Sequence, residues 1–100
     1  MRGKELNDKL ISIYFKKTYT GAGEVTKEEQ DFIDQDIVCI PTGKNGLDLD
    51  KEHINNHLEI GREYDLDYMN VGQSSSSVYI KGLTTGFNSV CFDFKLKQNE

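Results

Sequence analysis

His53 and His57 stand one helical turn apart, so a helix through them would place both imidazoles on one face. Zinc peptidases use that spacing, with a glutamate directly after the first histidine as general base. Ile54 occupies that position here, which excludes that chemistry. A structural metal would need further ligands. Asp50 and Glu52 are the nearest carboxylates, and Cys39 or Cys91 would have to fold close by. The expectation is two solvated histidines on a polar helix face, with no metal and no cofactor. Asp48, Asp50 and Glu52 alternate like the oxygen ligands of a calcium loop, but His53 replaces the glycine such a loop has at its sixth position. These acids read as a helix cap and a solvated face.

Other candidates fall for similar reasons. Ser74–Ser77 could supply a nucleophilic hydroxyl, yet neither histidine lies near in sequence to act as its base. Gly21-Ala22-Gly23 has Thr26 where a dinucleotide fingerprint needs its third glycine, and no strand precedes it. In Thr42-Gly43-Lys44, Asn45 follows where a phosphate loop needs Ser or Thr, and Val38 stands where its first glycine belongs. Cys39 and Cys91 lack CxxC spacing and lie in apolar runs, so they read as reduced, buried or half-buried thiols. With no complete catalytic constellation, the expected protein is not an enzyme.

The charge points elsewhere. Residues 25–67 hold four basic and twelve acidic groups, out of a net charge of −5 for the whole chain. The flanking segments are slightly basic. Nucleic-acid binding through phosphate contacts needs clustered cations, and none appears. A basic protein partner fits better, met by a surface comprising Glu28, Glu29, Asp31, Asp34, Asp48, Asp50 and Glu52. The alternative is a small barrel binding single-stranded nucleic acid, with Tyr79, Lys81, Lys95 and Lys97 as its face.

Several elements must position these groups. Leu6, Leu10 and Ile13 make a helical stripe over residues 4–17, widened by Ile11, Tyr14 and Phe15. Thr26 and Glu29 form a capping box for a short helix over 27–35, with Phe32 and Ile33 turned inward. The β-branched run 36–41, stopped by Pro41, predicts an edge strand. Asp48 or Asp50 is expected to cap a third helix carrying Ile54 and Leu58, closed by Gly61. Beyond it, Tyr64, Leu66 and Tyr68 alternate with acids, Val78 and Ile80 with Tyr79 and Lys81, and Val90, Phe92, Phe94 and Leu96 with Cys91, Asp93, Lys95 and Lys97. A period of two puts each apolar set, Tyr64 and Tyr68 included, on a core face and leaves only Tyr79 outward.

The run Ile60-Gly61-Arg62-Glu63-Tyr64-Asp65-Leu66, then Val71-Gly72-Gln73-Ser74, Ser77-Val78-Tyr79-Ile80-Lys81-Gly82 and Phe87-Asn88-Ser89-Val90-Cys91-Phe92-Asp93-Phe94, resembles short proteins from phages and integrated mobile elements of low-GC Gram-positive bacteria. The resemblance covers the chain from residue 60 onward and none of the helical front. It implies a phage or mobile-element setting and a small β module, and it supplies no catalytic residues. Gly72 and Gly86 are expected in turns, with Asn88 and Ser89 offering local hydrogen bonds where the last strand begins.

These readings make one α+β domain, residues 1–100, with a helical front (4–60) and a β-rich module (60–97). Two or three helices pack on a four-stranded antiparallel sheet or small partly open barrel, built from 36–41, 63–71, 77–83 and 89–97. The expected core is Leu6, Leu10, Ile13, Phe32, Ile37, Leu58, Leu66, Val78, Ile80, Val90, Phe92 and Phe94. No apolar run approaches the roughly 20 residues of a membrane helix, and no secretory signal opens the chain, so a cytoplasmic protein is expected. A strand edge at 36–41 or 89–97 would permit a homodimer as well as a monomer.

Overall fold

Leu6, Leu10 and Ile13 do line one helical face. The chain from Gly3 to Tyr19 forms α1 in the computed structural model, which describes residues 3–19 and 25–97. All three side chains are buried, and burying each such group fully contributes roughly 1.5–3 kcal/mol. Phe15, expected to widen the stripe, is exposed instead. The capping box is present: Thr26 Oγ1 accepts from Glu29 N–H at 3.1 Å and Glu29 Oε1 accepts from Thr26 N–H at 3.0 Å. It starts α2, Lys27–Ile33, which buries Phe32 and half-buries Ile33.

Glu29 also meets Lys16 at 2.9 Å. The Thr26 backbone N–H, followed by Lys16, holds its carboxyl below the ordinary value. A lowered folded value means the stabilisation exists above the unfolded carboxyl's pKa and fades as pH falls through the folded one. Glu29→Gln is therefore expected to weaken the protein at neutral pH, with the difference from wild type vanishing in acid. Urea titrations at both pH values check this, and an equal loss at both would count against it.

The remaining elements are β1 (Ile37–Pro41), α3 (Asp48–His57), β2 (Tyr64–Val71), β3 (Ser76–Ile80), β4 (Gly86–Asn88), a 3-10 turn (Ser89–Cys91) and β5 (Phe92–Leu96). Five strands, one more than expected, form an open sheet in the order β4-β3-β2-β1-β5, with every neighbouring pair antiparallel. No barrel closes. Gly86 lies within β4, not in a turn.

Three further expectations are corrected. The strand expected over 36–41 is not an edge, because β1 lies between β2 and β5. Pro41 is tolerated as its last residue, where the missing N–H costs no interior ladder bond. The strand expected over 89–97 begins only at Phe92, so Val90 sits on the 3-10 turn and is 52% exposed. Tyr68 is also outside the core, because a bulge between Leu66 and Tyr68 shifts the register of β2 against β3. Beyond it Met69 and Val71 are buried and Tyr68 is 44% exposed.

The core side of the sheet carries Leu66, Met69, Val78, Ile80, Phe87, Phe92 and Phe94, with α1 packed over β2 and β5 and α3 beside β4. On the other side Val38 stands in register between Asp65 and Lys95 and is only 3% exposed. Lys95 and Lys97 reach from β5 across β1 to Glu63 and Asp65, so their aliphatic stems pass over it. Among the described residues no helix is long and apolar enough to cross a membrane.

Candidate functional site

The expected acidic surface is divided by the fold. Glu28, Glu29, Asp31 and Asp34 belong to α2 and its end, which packs on α1, whereas Asp48, Asp50 and Glu52 belong to α3, which packs beside β4. Four of these groups have structural work, Asp34 among them, since its Oδ1 accepts from Gln30 Nε2 at 2.8 Å. Glu29 closes the cap and pairs with Lys16, Asp31 pairs with Lys27 at 3.0 Å, and Asp50 Oδ2 accepts from Leu47 N–H at 3.0 Å and Asn88 Nδ2 at 3.1 Å. Asp50 is thus three residues inside α3, with Leu47 rather than Asp48 or Asp50 at the cap position. Glu28, Asp34, Asp48 and Glu52 are exposed and form no ion pair among the described residues.

Around Asp34, charged groups from separate elements come close. Asp34 and Asp36 line one shallow depression with Gln35 and Lys97. The phenol of Tyr14 is pushed up to about 12, mainly by burial, then by the carboxylates of Asp34 and Asp67. Lys17 also lies near that ring, its Nζ 5.9 Å from the centroid, so cations and acids from several elements meet around Tyr14 and Asp34.

The nucleic-acid face anticipated in Tyr79, Lys81, Lys95 and Lys97 is divided too. Tyr79 is half-buried and stacks on Tyr68, ring centroids 4.5 Å apart and planes at 6°. The bulge makes this pair, since it turns Tyr68 to the side on which Tyr79 already lies. Tyr79 also covers Gly86 on the next strand, where a Cβ would lie 2.8 Å from Tyr79 Cζ. Lys81 is exposed beyond the end of β3. Lys95 and Lys97 stand on the far side of β1 and β2 and are bridged to Glu63 and Asp65.

A third region was not legible in the sequence. Asp50, His53, Ser75, Ser76, Ser77 and Asn88 line a depression of about 250 Å³ between α3 and the β3–β4 pair. His53 is not a freely solvated histidine. Its ring lies 4.8 Å from that of Phe87, and Nε2 is 3.0 Å from Thr85 Oγ1 and 3.1 Å from the Gly86 carbonyl. A carbonyl only accepts, so the bond to Gly86 requires Nε2 to carry the hydrogen. His57 is exposed, with Nδ1 3.0 Å from the His53 carbonyl.

The serines also have partners. Ser74 and Ser75 lie in the loop expected over 74–77, but Ser76 and Ser77 belong to β3, and Ser76 ties it to the 3-10 turn by a hydroxyl-to-hydroxyl hydrogen bond with Ser89. Asn88 accepts from Val90 N–H at 3.3 Å, the local bond expected, and its amide reaches Asp50 across the chain, which was not. The arrangement braces α3 against β4. Its histidine nitrogen and its buried serine hydroxyl both point into that brace.

Both thiols are free and buried. Burial, with Asp65 a lesser cause, pushes Cys39 up to about 12, and burial followed by Asp50 raises Cys91. Neither forms an appreciable thiolate at neutral pH. Among the described residues no group of three or more His, Cys, Asp or Glu side chains is placed to hold a metal ion.

Comparison with known proteins gives one family. The family described as Bacteriophage T4 protein Y07B matches residues 37–100, from β1 through the end of the chain. No curated protein and no solved structure matches.

Proposed function

The chain belongs to the bacteriophage T4 protein Y07B family, and from that premise we propose a non-enzymatic phage accessory protein that binds a basic protein through its acidic surface. The observation carrying this reading is that Asp34, at the end of α2, shares a depression with Asp36 and acts on Tyr14 together with Asp67, while Glu28 stands exposed in α2. Exposed carboxylates that neutralise no cation of their own steer a cationic partner and give salt-dependent association. In its sharper form the partner is a host nucleic-acid-binding defence enzyme, which the carboxylates inhibit by occupying its phosphate-binding surface.

The test separates the two acidic groups while sparing Glu29 and Asp50, which hold the fold. Glu28→Gln/Asp34→Asn/Asp67→Asn is expected to weaken salt-sensitive capture of basic host proteins by about tenfold or more. Asp48→Asn/Glu52→Gln should leave it nearly unchanged. DNA should displace the captured protein. Capture that is indifferent to the first set, or to salt, would sink the reading.

One observation favours single-stranded nucleic acid as a second reading: the Tyr68–Tyr79 pair is stacked on the side of the sheet away from the core, with Tyr68 44% exposed. Titration of a fluorescent oligonucleotide at low salt, with Tyr68→Ala as control, decides it. Absence of binding removes this reading.

A further inference from the structure

The two ends of the sheet differ. β4 is three residues long and runs straight into a 3-10 turn, which blunts that edge. β5 has five residues, and no described strand pairs on its far side. Its backbone orientation follows from two bonds to its inner neighbour. Lys97 N–H bonds the Asp36 carbonyl and Thr42 N–H bonds the Cys91 carbonyl, each at 2.9 Å. In an antiparallel ladder such residues alternate, so positions 91, 93, 95 and 97 turn their backbone groups toward β1. Phe92, Phe94 and Leu96 turn theirs to the open edge. The Phe92 amide is used by Ser89 O in the turn, which leaves its carbonyl together with both groups of Phe94 and Leu96.

We propose that this edge pairs antiparallel with β5 of a second copy of the chain, centred on Phe94, to give a two-fold homodimer with one sheet running through both copies. In that register Phe94 bonds Phe94 of the second copy reciprocally, and each Leu96 N–H meets the other copy's Phe92 carbonyl. Asp93 then lies directly opposite Lys95 of the second copy, twice by symmetry. These are non-hydrogen-bonded positions, where opposed side chains come closest.

Charge selects both the occupant and the register. Sliding by two residues keeps the hydrogen-bond pattern but opposes Asp93 to Asp93 in one direction and Lys95 to Lys95 in the other. Only the centred register places opposite charges face to face. Asp93 is exposed and has no ion pair among the described residues, so it is available for this contact. Lys95 is exposed on the same face; its bridge to Glu63 reaches across β1, so the dimer contact turns its ammonium from Glu63 to Asp93 of the second copy. The inference is independent of the acidic-surface reading, since it uses neither α2 nor α3.

Sedimentation equilibrium or light scattering on the full chain tests it. The wild type is expected to approach twice the 11.4 kDa chain mass as concentration rises. Asp93→Lys alone places lysine against lysine, and Lys95→Asp alone places aspartate against aspartate. Each should dissociate about tenfold more readily or worse. Mixing the two variants restores opposite charges at both contacts and should restore the dimer as a heterodimer. Circular dichroism confirms that each exposed substitution leaves the chain folded, and Phe94 and Leu96 amide protection should rise with wild-type concentration. A wild type at single-chain mass throughout, singles that dimerise normally, or a mixture that stays dissociated would each overturn the proposal.

Discussion

Gly46→Ala is expected to lower the free energy of unfolding by about 3 kcal/mol or more, whereas Gly61→Ala should cost only about 1–2 kcal/mol. Both glycines have strongly positive φ, +92° and +85°, so the conformational penalty of adding a side chain is nearly shared. Their surroundings are not. Nothing lies within 4 Å of a Cβ at Gly61, while one at Gly46 would be 2.5 Å from Cys91 Sγ and 3.3 Å from Asp50 Oδ2. Neither neighbour is free to retreat. Cys91 Sγ donates to the Asn45 carbonyl at 3.2 Å, and Asp50 holds both Leu47 and Asn88. The difference between the two substitutions isolates overpacking from backbone strain. Adding Cys91→Ala to Gly46→Ala should cost less than the two separate losses combined, because it vacates the contested space. Equal losses at the two glycines in urea denaturation would show that loop 42–47 yields, and that Gly46 serves the turn alone.

That turn shows where local pattern was informative. An Asn-Gly pair such as Asn45-Gly46 suits positive φ, just as Thr26 and Glu29 marked the start of α2 and the Leu6, Leu10, Ile13 stripe the buried face of α1. Each is an interaction within one turn of helix or one loop, so neighbouring residues suffice to specify it. The errors lie where partners are distant in sequence. Pro41 suggested an edge strand, but whether β1 is flanked depends on β5, more than fifty residues onward. Val90 is the local exception: it fits a period-two pattern with Phe92, yet Asn88, two residues away, caps a 3-10 turn through the Val90 amide, and that side chain is 52% exposed. Tyr68 fits one with Leu66, and the bulge is a property of the pairing with β3 rather than of β2 itself.

The candidate site divides in the same way. The carboxylates of residues 25–67 can be counted from the sequence, but which are available cannot. Glu29, Asp31 and Asp50 are engaged with Lys16, Lys27 and Asn88, and Asp34 with Gln30, while Glu28 and Asp67 form no ion pair among the described residues. Tyr14 registers two of those charges in its raised pKa, although neither is near it in sequence. The same holds for β5. Its alternation of Asp93 and Lys95 is visible in the chain, but its meaning as a self-complementary edge depends on the strand order and on which amides face outward.

Phe87→Ala is the substitution expected to do most damage, about 3–5 kcal/mol. Phe87 is the one buried residue of β4, at 2% exposure, in register with Val78 and 6.1 Å centroid to centroid from Phe92. Its other side meets the ring of His53, so a single side chain closes the core under β4 and seats α3 against it. With three residues, β4 has little else to hold it to the sheet. Phe87→Leu keeps most of the volume and should cost about 1.5 kcal/mol or less. His53→Ala should lie between the two, since it removes the ring contact and the bonds to Thr85 and Gly86 but leaves the core filled. In native-state hydrogen exchange, Phe87→Ala should expose the β3–β4 amides well before those of the β1–β5 pair, because the second ladder is packed by α1 instead. Uniform loss of protection across the sheet would mean that α1 and α3 stabilise one indivisible unit. A loss near 1 kcal/mol would mean that the space beneath β4 collapses once the ring is gone, and that the Asp50–Asn88 and Ser76–Ser89 bonds, not Phe87, fasten this edge.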